Sequence, residues 1–406
     1  MKKTLGILIV VIFITTGLSA GVSRGHDMPA SVLNKNGNDA SIRLSTKYYD
    51  DNCFDKGPGE IINEKSAGSP GATLASIDYD GDGDMDYIEG SFFDIFICTN
   101  NQDNFQRELY YILEDYNGYP DTLDAGAIVA VDINNDGQED FITGGTQGFI
   151  RIFINNNSQS GIPQFDMNKI AKFGQAVYGL SVADFNDDGW MDFAASHATR
   201  PLGYSTISIF YNQGDLTFTQ KDVYSIYEHH VKDLESGDFD NDGDIDLLFA
   251  YTEYIWYDDL PWNLIGVYCM LENEGDETFG SEKVIAERGR DLFFYFGPYF
   301  YMKIQVRIRN FLGLDRYNPQ LTSADYDADG DIDFLVGDNS GKVEHFINDG
   351  YGNFVSNGVI HWYGHLSWGL TSGDFDGDGD IDFLVAANNK YGTLEGNVWL
   401  KRNQLN

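Results

Sequence analysis

The chain has 406 residues and a formal net charge of −38, because 64 acidic residues stand against 26 basic ones. A surface this acidic repels polyanions, so the composition excludes nucleic acid as a partner and suits a protein that binds cations. Hydrophobic residues make up 42% of the chain and aromatic residues 15%, with 9 prolines, which predicts a packed core rather than a disordered acidic chain.

The N-terminus has the pattern of an export signal. Two lysines precede an apolar run from Leu5 to Leu18, and small residues follow it up to a cleavage point after Ala20. We therefore expect residues 1–20 to be a signal peptide, residues 21–53 to form an N-terminal segment, and the protein to be secreted or held at the cell surface. An uncleaved membrane anchor is the alternative, although the apolar run is short for a membrane span.

An acidic nine-residue motif recurs along the rest of the chain and indicates the fold. Its first copy reads Asp78-Tyr-Asp-Gly-Asp-Gly-Asp-Met-Asp86, and successive copies start 49 to 54 residues apart, except for one gap of 87. Each unit has room for four short strands, one before the motif and three after it, which is typical of a propeller blade. We predict an all-β fold, a β-propeller of four-stranded blades over residues 54–406. The copies begin at Asp78, Asp132, Asp184, Asp238, Asp325 and Asp374.

The two ends of this region predict how the ring closes. After the last motif only two strands fit, so the last unit lacks its fourth strand. Near the start, Phe54 and Glu60–Asn63 resemble the last part of a unit, which is a Phe followed by the fourth strand. We expect this N-terminal strand to complete the last blade and remove exposed strand edges. Six blades follow from six motifs, and a seventh blade without a motif inside the 87-residue gap is the alternative.

The motif itself has the chemistry of a metal-binding loop. Its pattern is Asp-x-Asp/Asn-x-Asp-Gly-x-x-Asp, with side-chain oxygens at positions one, three, five and nine and the carbonyl of position seven as a further ligand. Glycine at position six permits a sharp reversal. Hard oxygen ligands in this number favour Ca²⁺ over Zn²⁺, and Mg²⁺ requires stricter geometry. An EF-hand is excluded, because position twelve is Glu in one copy only and strands flank the loops.

The loops, the unit length and a trailing strand such as Ile381-Asp-Phe-Leu-Val385 resemble FG-GAP/VCBS repeats, the calcium-binding blades also found in integrin α-subunit propellers. The resemblance covers about residues 54–403 and implies about six Ca²⁺ ions, each in the loop between strands one and two of a blade. The ligands it implies are Asp78, Asp80, Asp82 and Asp86; Asp132, Asn134, Asp136 and Asp140; Asp184, Asn186, Asp188 and Asp192; Asp238, Asp240, Asp242 and Asp246; Asp325, Asp327, Asp329 and Asp333; and Asp374, Asp376, Asp378 and Asp382.

Two long connections of the fourth unit form a candidate ligand site. Thr252–Asn263 is expected to join its second and third strands, and an aromatic and basic insertion at about 287–318 leads to the next unit. Strand parity predicts that both lie on the face opposite the acidic loops. Their rings and cations suit a sugar, an anionic polymer or a membrane surface, and packing onto the propeller is the alternative. The candidate residues are Tyr254, Trp256, Tyr257, Trp262, Phe293, Phe294, Tyr295, Tyr299, Arg307 and Arg309.

Catalytic signatures are missing from the sequence. It contains no Gly-x-Ser-x-Gly elbow, phosphate loop or His-Glu-x-x-His motif. Cys53, Cys98 and Cys269 indicate neither a disulfide framework nor a zinc site, although one bridge between Cys53 and Cys98 stays open. We expect an adhesion or carbohydrate-binding module with an extracellular glycan or protein ligand. A polysaccharide lyase on the same fold and a purely structural surface or matrix protein are the alternatives, because this family does not settle function.

Overall fold

The computed structural model describes the repeat region with gaps. The described residues are Phe54 and residues 59–66, 73–90, 94–102, 104–112, 125–145, 147–156, 165–173, 176–199, 203–257, 260–275, 277–289, 319–338, 341–363, 367–388 and 396–404. The expected signal peptide, the segment 21–53 with Cys53, and residues 290–318 of the expected insertion lie outside them. Within these ranges, no helix has the length and apolarity that crossing a bilayer requires.

The described strands form six separate antiparallel sheets of four strands, each one a propeller blade. Blades one to three contain β2 (Thr73–Ile77), β3 (Asp86–Gly90), β4 (Asp94–Thr99) and β5 (Gln106–Ile112); β6 (Ala125–Val131), β7 (Asp140–Gly145), β8 (Phe149–Asn155) and β9 (Phe165–Lys172); and β10 (Val177–Ala183), β11 (Asp192–Thr199), β12 (Tyr204–Asn212) and β13 (Phe218–Tyr227). Blades four to six contain β14 (His230–Gly237), β15 (Asp246–Tyr257), β16 (Leu260–Leu271) and β17 (Lys283–Gly289); β18 (Gln320–Ala324), β19 (Asp333–Gly337), β20 (Lys342–Asn348) and β21 (Phe354–Trp362); and β22 (Ser367–Gly373), β23 (Asp382–Asn388), β24 (Gly396–Lys401) and β1 (Glu60–Ser66).

The ring is closed by the N-terminal strand, as predicted. β1 pairs antiparallel with β24, with Glu60 opposite Leu400, and Phe54 forms a β-bridge with Asn403. The Phe54 ring lies 5.1 Å from that of Phe383, edge to face, so the closure also buries an aromatic side chain. Strands from the two ends of the repeat region therefore share one blade, so the last blade has all four of its strands.

The blade count is six. The innermost strands contact one another around the ring in the order β2, β6, β10, β14, β18, β22 and back to β2. Because β14 of blade four contacts β18 of blade five directly, no blade lies between them. The alternative of a seventh blade inside the 87-residue gap is therefore wrong.

A phenylalanine cluster recurs inside the blades. In blade two the rings of Phe141 and Phe153 stack at 4.4 Å, and Phe165 of the outermost strand meets Phe141 edge to face at 4.9 Å. Blades three and five repeat this arrangement at the equivalent positions, with stacked rings 4.5 Å and 4.6 Å apart. Such pairs add about 0.5–1.5 kcal/mol each beyond the area that they bury. The Phe that begins the outermost strand of these three blades thus packs against the core.

Two expectations about blade four need correction. Thr252–Asn263, predicted to be a loop, lies mostly in strands, because β15 and β16 each run for 12 residues and stay paired up to Tyr257 opposite Leu260. Aromatic residues have high strand propensity, and here they prolong the hairpin. The insertion also begins later than expected, because β17 continues through residues 287–289.

Candidate metal centre

The six acidic loops share one backbone conformation. The glycine at position six has a φ of 86° to 100° in every loop, which a side chain would strain. Position four also has a positive φ, between 55° and 74°, although four of its six residues are not glycine. These position-four residues are Gly81, Asn135, Asp187, Asn241, Ala328 and Gly377.

The carboxylate at position one organises each loop around itself. In the second loop, Asp132 Oδ1 accepts the N–H of Asp136 at 3.0 Å, and its Oδ2 accepts the N–H of Gly137 at 2.8 Å. The other five loops contain the same two hydrogen bonds, at 2.8 to 3.2 Å. In all six, Oδ1 of position five accepts the N–H of position seven at 2.9 to 3.0 Å. The backbone thus folds around side-chain oxygens and holds them together.

The carboxylate at position nine is buried at the start of strand two, with at most 1% of its surface exposed. In the sixth loop, Asp382 Oδ1 accepts the N–H of Asn403 at 2.7 Å and Oδ2 accepts that of Phe375 at 3.2 Å. The first four loops have the same pair of donors. In these five loops, backbone N–H groups therefore hold both carboxylate oxygens of position nine in place.

In four of the loops, three carboxylates converge so that one oxygen from each lies within 4.8 Å of the others. These groups are Asp78, Asp80 and Asp86; Asp238, Asp240 and Asp246; Asp325, Asp327 and Asp329; and Asp374, Asp376 and Asp382. The second and third loops have Asn134 and Asn186 at position three, so an amide oxygen takes the place of one carboxylate there. All twenty-four predicted ligands thus lie in the six loops, and their role as ligands stays a prediction.

Ionised carboxylates are unfavourable in these loops when no cation is bound. Burial raises the pKa of Asp86 to about 8, and it raises the pKa values of Asp140, Asp192, Asp246 and Asp382 to about 7. Neighbouring carboxylates add to this effect, although backbone N–H donors act against it. A bound cation would relieve the burial cost and the repulsion together.

The fifth loop differs from the others and gives a direct test of the fit. Asp327 Oδ1 is buried and makes no hydrogen bond within the described residues, although it belongs to one of the converging groups. Asp333 Oδ2 contacts His345 Nε2 at 3.1 Å, and both side chains are fully buried. An orphaned carboxylate oxygen beside two other carboxylates fits a cation, since buried charges are paired or bound to metal.

Sequence reasoning missed an asparagine at the end of strand three that joins neighbouring blades. Asn212 Nδ2 donates to the carbonyl of Met191 at 3.1 Å in its own blade and to that of Ile133 in the preceding blade at 2.9 Å. Five of the six equivalent asparagines reach a preceding blade in this way: Asn100, Asn155, Asn212, Asn348 and Asn403. The sixth, Asn273, donates to Ile245 in its own blade, and within the described part of the chain it makes no such bond to blade three. The sequence signal for this contact is an Asn six residues before a Phe, as in Asn212 to Phe218, Asn273 to Phe279 and Asn348 to Phe354.

The candidate ligand residues are only partly located. Tyr254, Trp256, Tyr257 and Trp262 belong to strands β15 and β16, whose backbones are described there. The others lie outside the described residues: Phe293, Phe294, Tyr295, Tyr299, Arg307 and Arg309.

Exposed aromatic rings do occur on the face opposite the acidic loops. Tyr204 begins strand three of blade three and Tyr227 ends strand four, so both lie at that face; they are 42% and 53% exposed, with ring centroids 4.8 Å apart. Trp362, 66% exposed, ends strand four of blade five on the same face. Tyr351 is 76% exposed but lies in a turn on the acidic-loop face.

A His–Ser–Asp chain inside blade three lacks the order of a catalytic triad. His197 Nε2 lies 2.8 Å from Ser208 Oγ, and that hydroxyl donates to Asp222 Oδ1 at 2.7 Å. The serine proton thus points to the carboxylate and not to the imidazole. His197 and Ser208 are also buried, which closes this chain to substrate.

Comparison with known families agrees with the loops and the blades. A model of the FG-GAP-like repeat matches residues 132–195 and 325–385. Each match runs from one acidic loop through the next and ends in the strand that follows, so together they include four of the six loops. No curated protein matches the chain significantly.

Proposed function

Because the chain is an FG-GAP repeat propeller, which is a ligand-binding or structural module, we propose that it is an extracellular calcium-stabilised propeller that binds glycans. In this proposal the six acidic loops are structural Ca²⁺ sites, and the opposite face holds the ligand. The observation that carries the first part is the recurrence of one oxygen-lined loop in every blade.

Calcium is supported by the donor set. The loops offer carboxylate, amide and carbonyl oxygens, with neither thiolate nor imidazole among the predicted ligands, and Ca²⁺ takes six to eight such oxygens. The ion supplies the positive charge that the clustered carboxylates lack. The chain's own residues do the rest: position one holds the loop closed, and position nine ties it to strand two and to the end of strand three.

An extracellular location agrees with this chemistry. Extracellular modules typically bind Ca²⁺ with dissociation constants of about 10⁻⁴–10⁻³ M, so loops of this type are filled where calcium is abundant. FG-GAP repeats are typical of extracellular proteins, and the N-terminal export pattern points the same way. Secretion or retention at the cell surface is therefore part of the proposal.

Exposed aromatic rings on the face opposite the acidic loops support the proposal that the ligand is a glycan. Tyr204 and Tyr227 form an exposed pair, and Trp362 adds an indole at the same face. Aromatic rings offer flat apolar surfaces with a polar edge, which suits stacking against sugar rings. The hairpin of blade four, with Tyr254 and Trp256, extends from that face between them.

Binding of the calcium-loaded protein to a glycan array tests this function. We expect selective binding that Tyr204→Ala together with Tyr227→Ala reduces at least tenfold, while Tyr351→Ala on the acidic-loop face leaves it unchanged. Equal binding by the unaltered protein, the double variant and Tyr351→Ala would show that the ligand binds at another surface. No binding to any glycan would contradict the carbohydrate role and favour a protein ligand, contact of the 290–318 segment with a membrane, or a purely structural role.

A further inference from the structure

Blade two carries a local excess of positive charge in a very acidic chain. Residues 141–183, which run from its second strand through the first strand of blade three, contain three basic residues and one acidic residue, whereas the whole chain has a net charge of −38. The acidic residue, Asp166, is the second residue of β9, at the end of that strand nearest the acidic loops. The basic residues lie towards the opposite face.

The three basic side chains gather around one aromatic ring. Lys172 Nζ lies 4.1 Å from the centroid of the Phe149 ring, and Lys169 Nζ lies 5.1 Å from it. The guanidinium carbon of Arg151 lies 4.7 Å from the same centroid. No two of these charges are therefore more than about 10 Å apart, which is about one Debye length at 0.1 M salt, so their mutual repulsion is only partly screened. We call Arg151, Lys169 and Lys172 the cationic patch.

The two lysines of the cationic patch are exposed, and within the described part of the chain neither makes an ion pair. Lysines of other outermost strands are paired with carboxylates. Lys221 of β13 contacts Glu277 at 3.3 Å. Lys283 of β17 contacts Glu272 at 3.2 Å. The ammonium groups of the cationic patch thus remain available to an anion from outside the chain.

The cationic patch occupies the position that the exposed tyrosine pair has in the next blade. Phe149 begins strand three of blade two and lies opposite Lys172 at the end of strand four. In blade three, Tyr204 lies opposite Tyr227 in the same way. The two blades are neighbours, since their innermost strands β6 and β10 contact each other. The cations and the exposed rings therefore lie on adjacent blades and on the same face of the propeller.

The surroundings favour an acidic sugar over other anionic partners. A nucleic acid presents charge along its whole length, so the acidic remainder of the chain repels it. Membrane surfaces are bound through larger basic clusters or inserted apolar side chains, and blade two has no large exposed hydrophobic side chain among its described residues. A sugar that bears a carboxylate or a sulfate carries isolated charges, whose oxygens accept charge-assisted hydrogen bonds from lysine.

We propose that the cationic patch binds the carboxylate or sulfate groups of an acidic glycan, whose sugar rings stack on Tyr204 and Tyr227. This inference rests on the proposed function, because it takes the ligand to be a glycan, and it adds the charge of that ligand. Lys169 and Lys172 contact the anion. Arg151 is 3% exposed, so it contributes through its charge. The bound anion also relieves the repulsion among the three cations.

Binding to three polymers with one backbone tests the cationic patch: dextran, carboxymethyl-dextran and dextran sulfate. We expect the calcium-loaded protein to prefer an anionic polymer, with binding that weakens as salt is added. Lys169→Gln with Lys172→Gln should weaken it at least about tenfold, because two charge-assisted contacts are lost. The tighter of the two anionic polymers shows whether carboxylate or sulfate is preferred.

A matched control separates the cationic patch from total charge. Lys221→Gln with Lys283→Gln removes the same charge from two outermost strands, where both lysines are paired with glutamates. This variant should bind the anionic polymers within about twofold of the unaltered protein, since distant charges are screened. Equal weakening in both double variants would overturn the cationic patch.

Further outcomes distinguish this inference from the proposed function. No preference for an anionic polymer, or a preference that the variant of Lys169 and Lys172 keeps, overturns the cationic patch, and glycan binding that depends on Tyr204 and Tyr227 then leaves the proposed function intact. Loss of anionic binding in the lysine variant but not in Tyr204→Ala with Tyr227→Ala supports the cationic patch and contradicts the aromatic site. Tighter binding to phosphatidylserine vesicles than to either polymer would overturn the acidic glycan in favour of a membrane.

Discussion

The two faces of the propeller differ in how strictly they repeat. On the acidic-loop face, six loops share their backbone conformation and the hydrogen bonds that positions one and five accept. On the opposite face, blade four has a hairpin of two 12-residue strands, whereas blade three has an exposed pair of tyrosines. What repeats in every blade serves the ring that all blades build, whereas what occurs once is available for a specific partner. Stability is thus a property of the acidic-loop face, and recognition is expected of the opposite face.

The largest expected effect follows from removing a position-nine carboxylate. Asp382→Ala leaves the buried N–H groups of Phe375 and Asn403 without their acceptor and deletes a predicted calcium ligand. We expect the free energy of unfolding to fall by about 4 kcal/mol, from two unsatisfied buried donors and the weakened ion site. Urea unfolding in calcium measures it.

The matched control is Asp380→Ala in the same loop. Its side chain belongs to position seven, where the backbone carbonyl, and not the carboxylate, is the predicted ligand. This variant should unfold within about 0.5 kcal/mol of the parent, as surface substitutions usually do. Similar losses in both variants would mean that the loop responds to charge and not to the position-nine geometry.

The opposite-face half of blade three should instead depend on pH. Burial lowers the pKa of His197 to about 4, below its ordinary value of 6.5. Between these values the unfolded chain takes up a proton that the folded chain refuses, so stability is lost as the pH falls below 6.5. In saturating calcium this amounts to about 2 kcal/mol between pH 7 and pH 5.

A variant isolates that contribution. His197→Gln removes the titrating group, so the difference in unfolding free energy between pH 7 and pH 5 should shrink by about 2 kcal/mol. Urea titrations of both proteins at the two pH values measure it. An unchanged difference would show that His197 does not cause it.

A smaller effect compares two asparagines at equivalent positions. Asn212→Ala removes two bonds within blade three, to Met191 and from Gly214, and one to blade two, whereas Asn273→Ala removes the two equivalent bonds within blade four, to Ile245 and from Gly275. Both variants should lose stability, and Asn212→Ala should lose about 1 kcal/mol more, the net worth of one hydrogen bond. Equal losses in chemical unfolding would mean that the inter-blade bond adds nothing.

The smallest effect concerns the fifth loop, the least regular of the six. Ala328 has a φ of 56°, in a region that costs a non-glycine residue about 1–2 kcal/mol, partly offset by the flexibility of unfolded glycine. Ala328→Gly should therefore stabilise the protein by about 0.5–1 kcal/mol. Gly377→Ala at the same position of the sixth loop should cost a similar amount, since its added Cβ meets no atom. A loss of stability in Ala328→Gly would contradict this account.

The repeating face was predictable from the sequence, and the other face was not. Asp and Gly at fixed spacing determine the loop locally, so the six loops, the four-stranded blades and the closing role of Phe54 and Glu60 could be deduced. The Asn212 contact depends on a neighbouring blade, which no local pattern reveals. The extension of β15 and β16 was missed because a run such as Tyr254 to Tyr257 fits a loop or a strand equally until its pairing is known.

Thermal unfolding of residues 21–406 with excess Ca²⁺ and with chelator tests the central claim most directly. Ligands that bind only the folded state stabilise it by mass action, by about 2.7 kcal/mol for each site at one hundred times its dissociation constant. Six structural sites predict a large rise of Tm with calcium, and a smaller rise in Asp382→Ala. The same Tm in both solutions would contradict the binding of structural calcium by the loops. It would also contradict the assignment of stability to the acidic-loop face and of recognition to the opposite face.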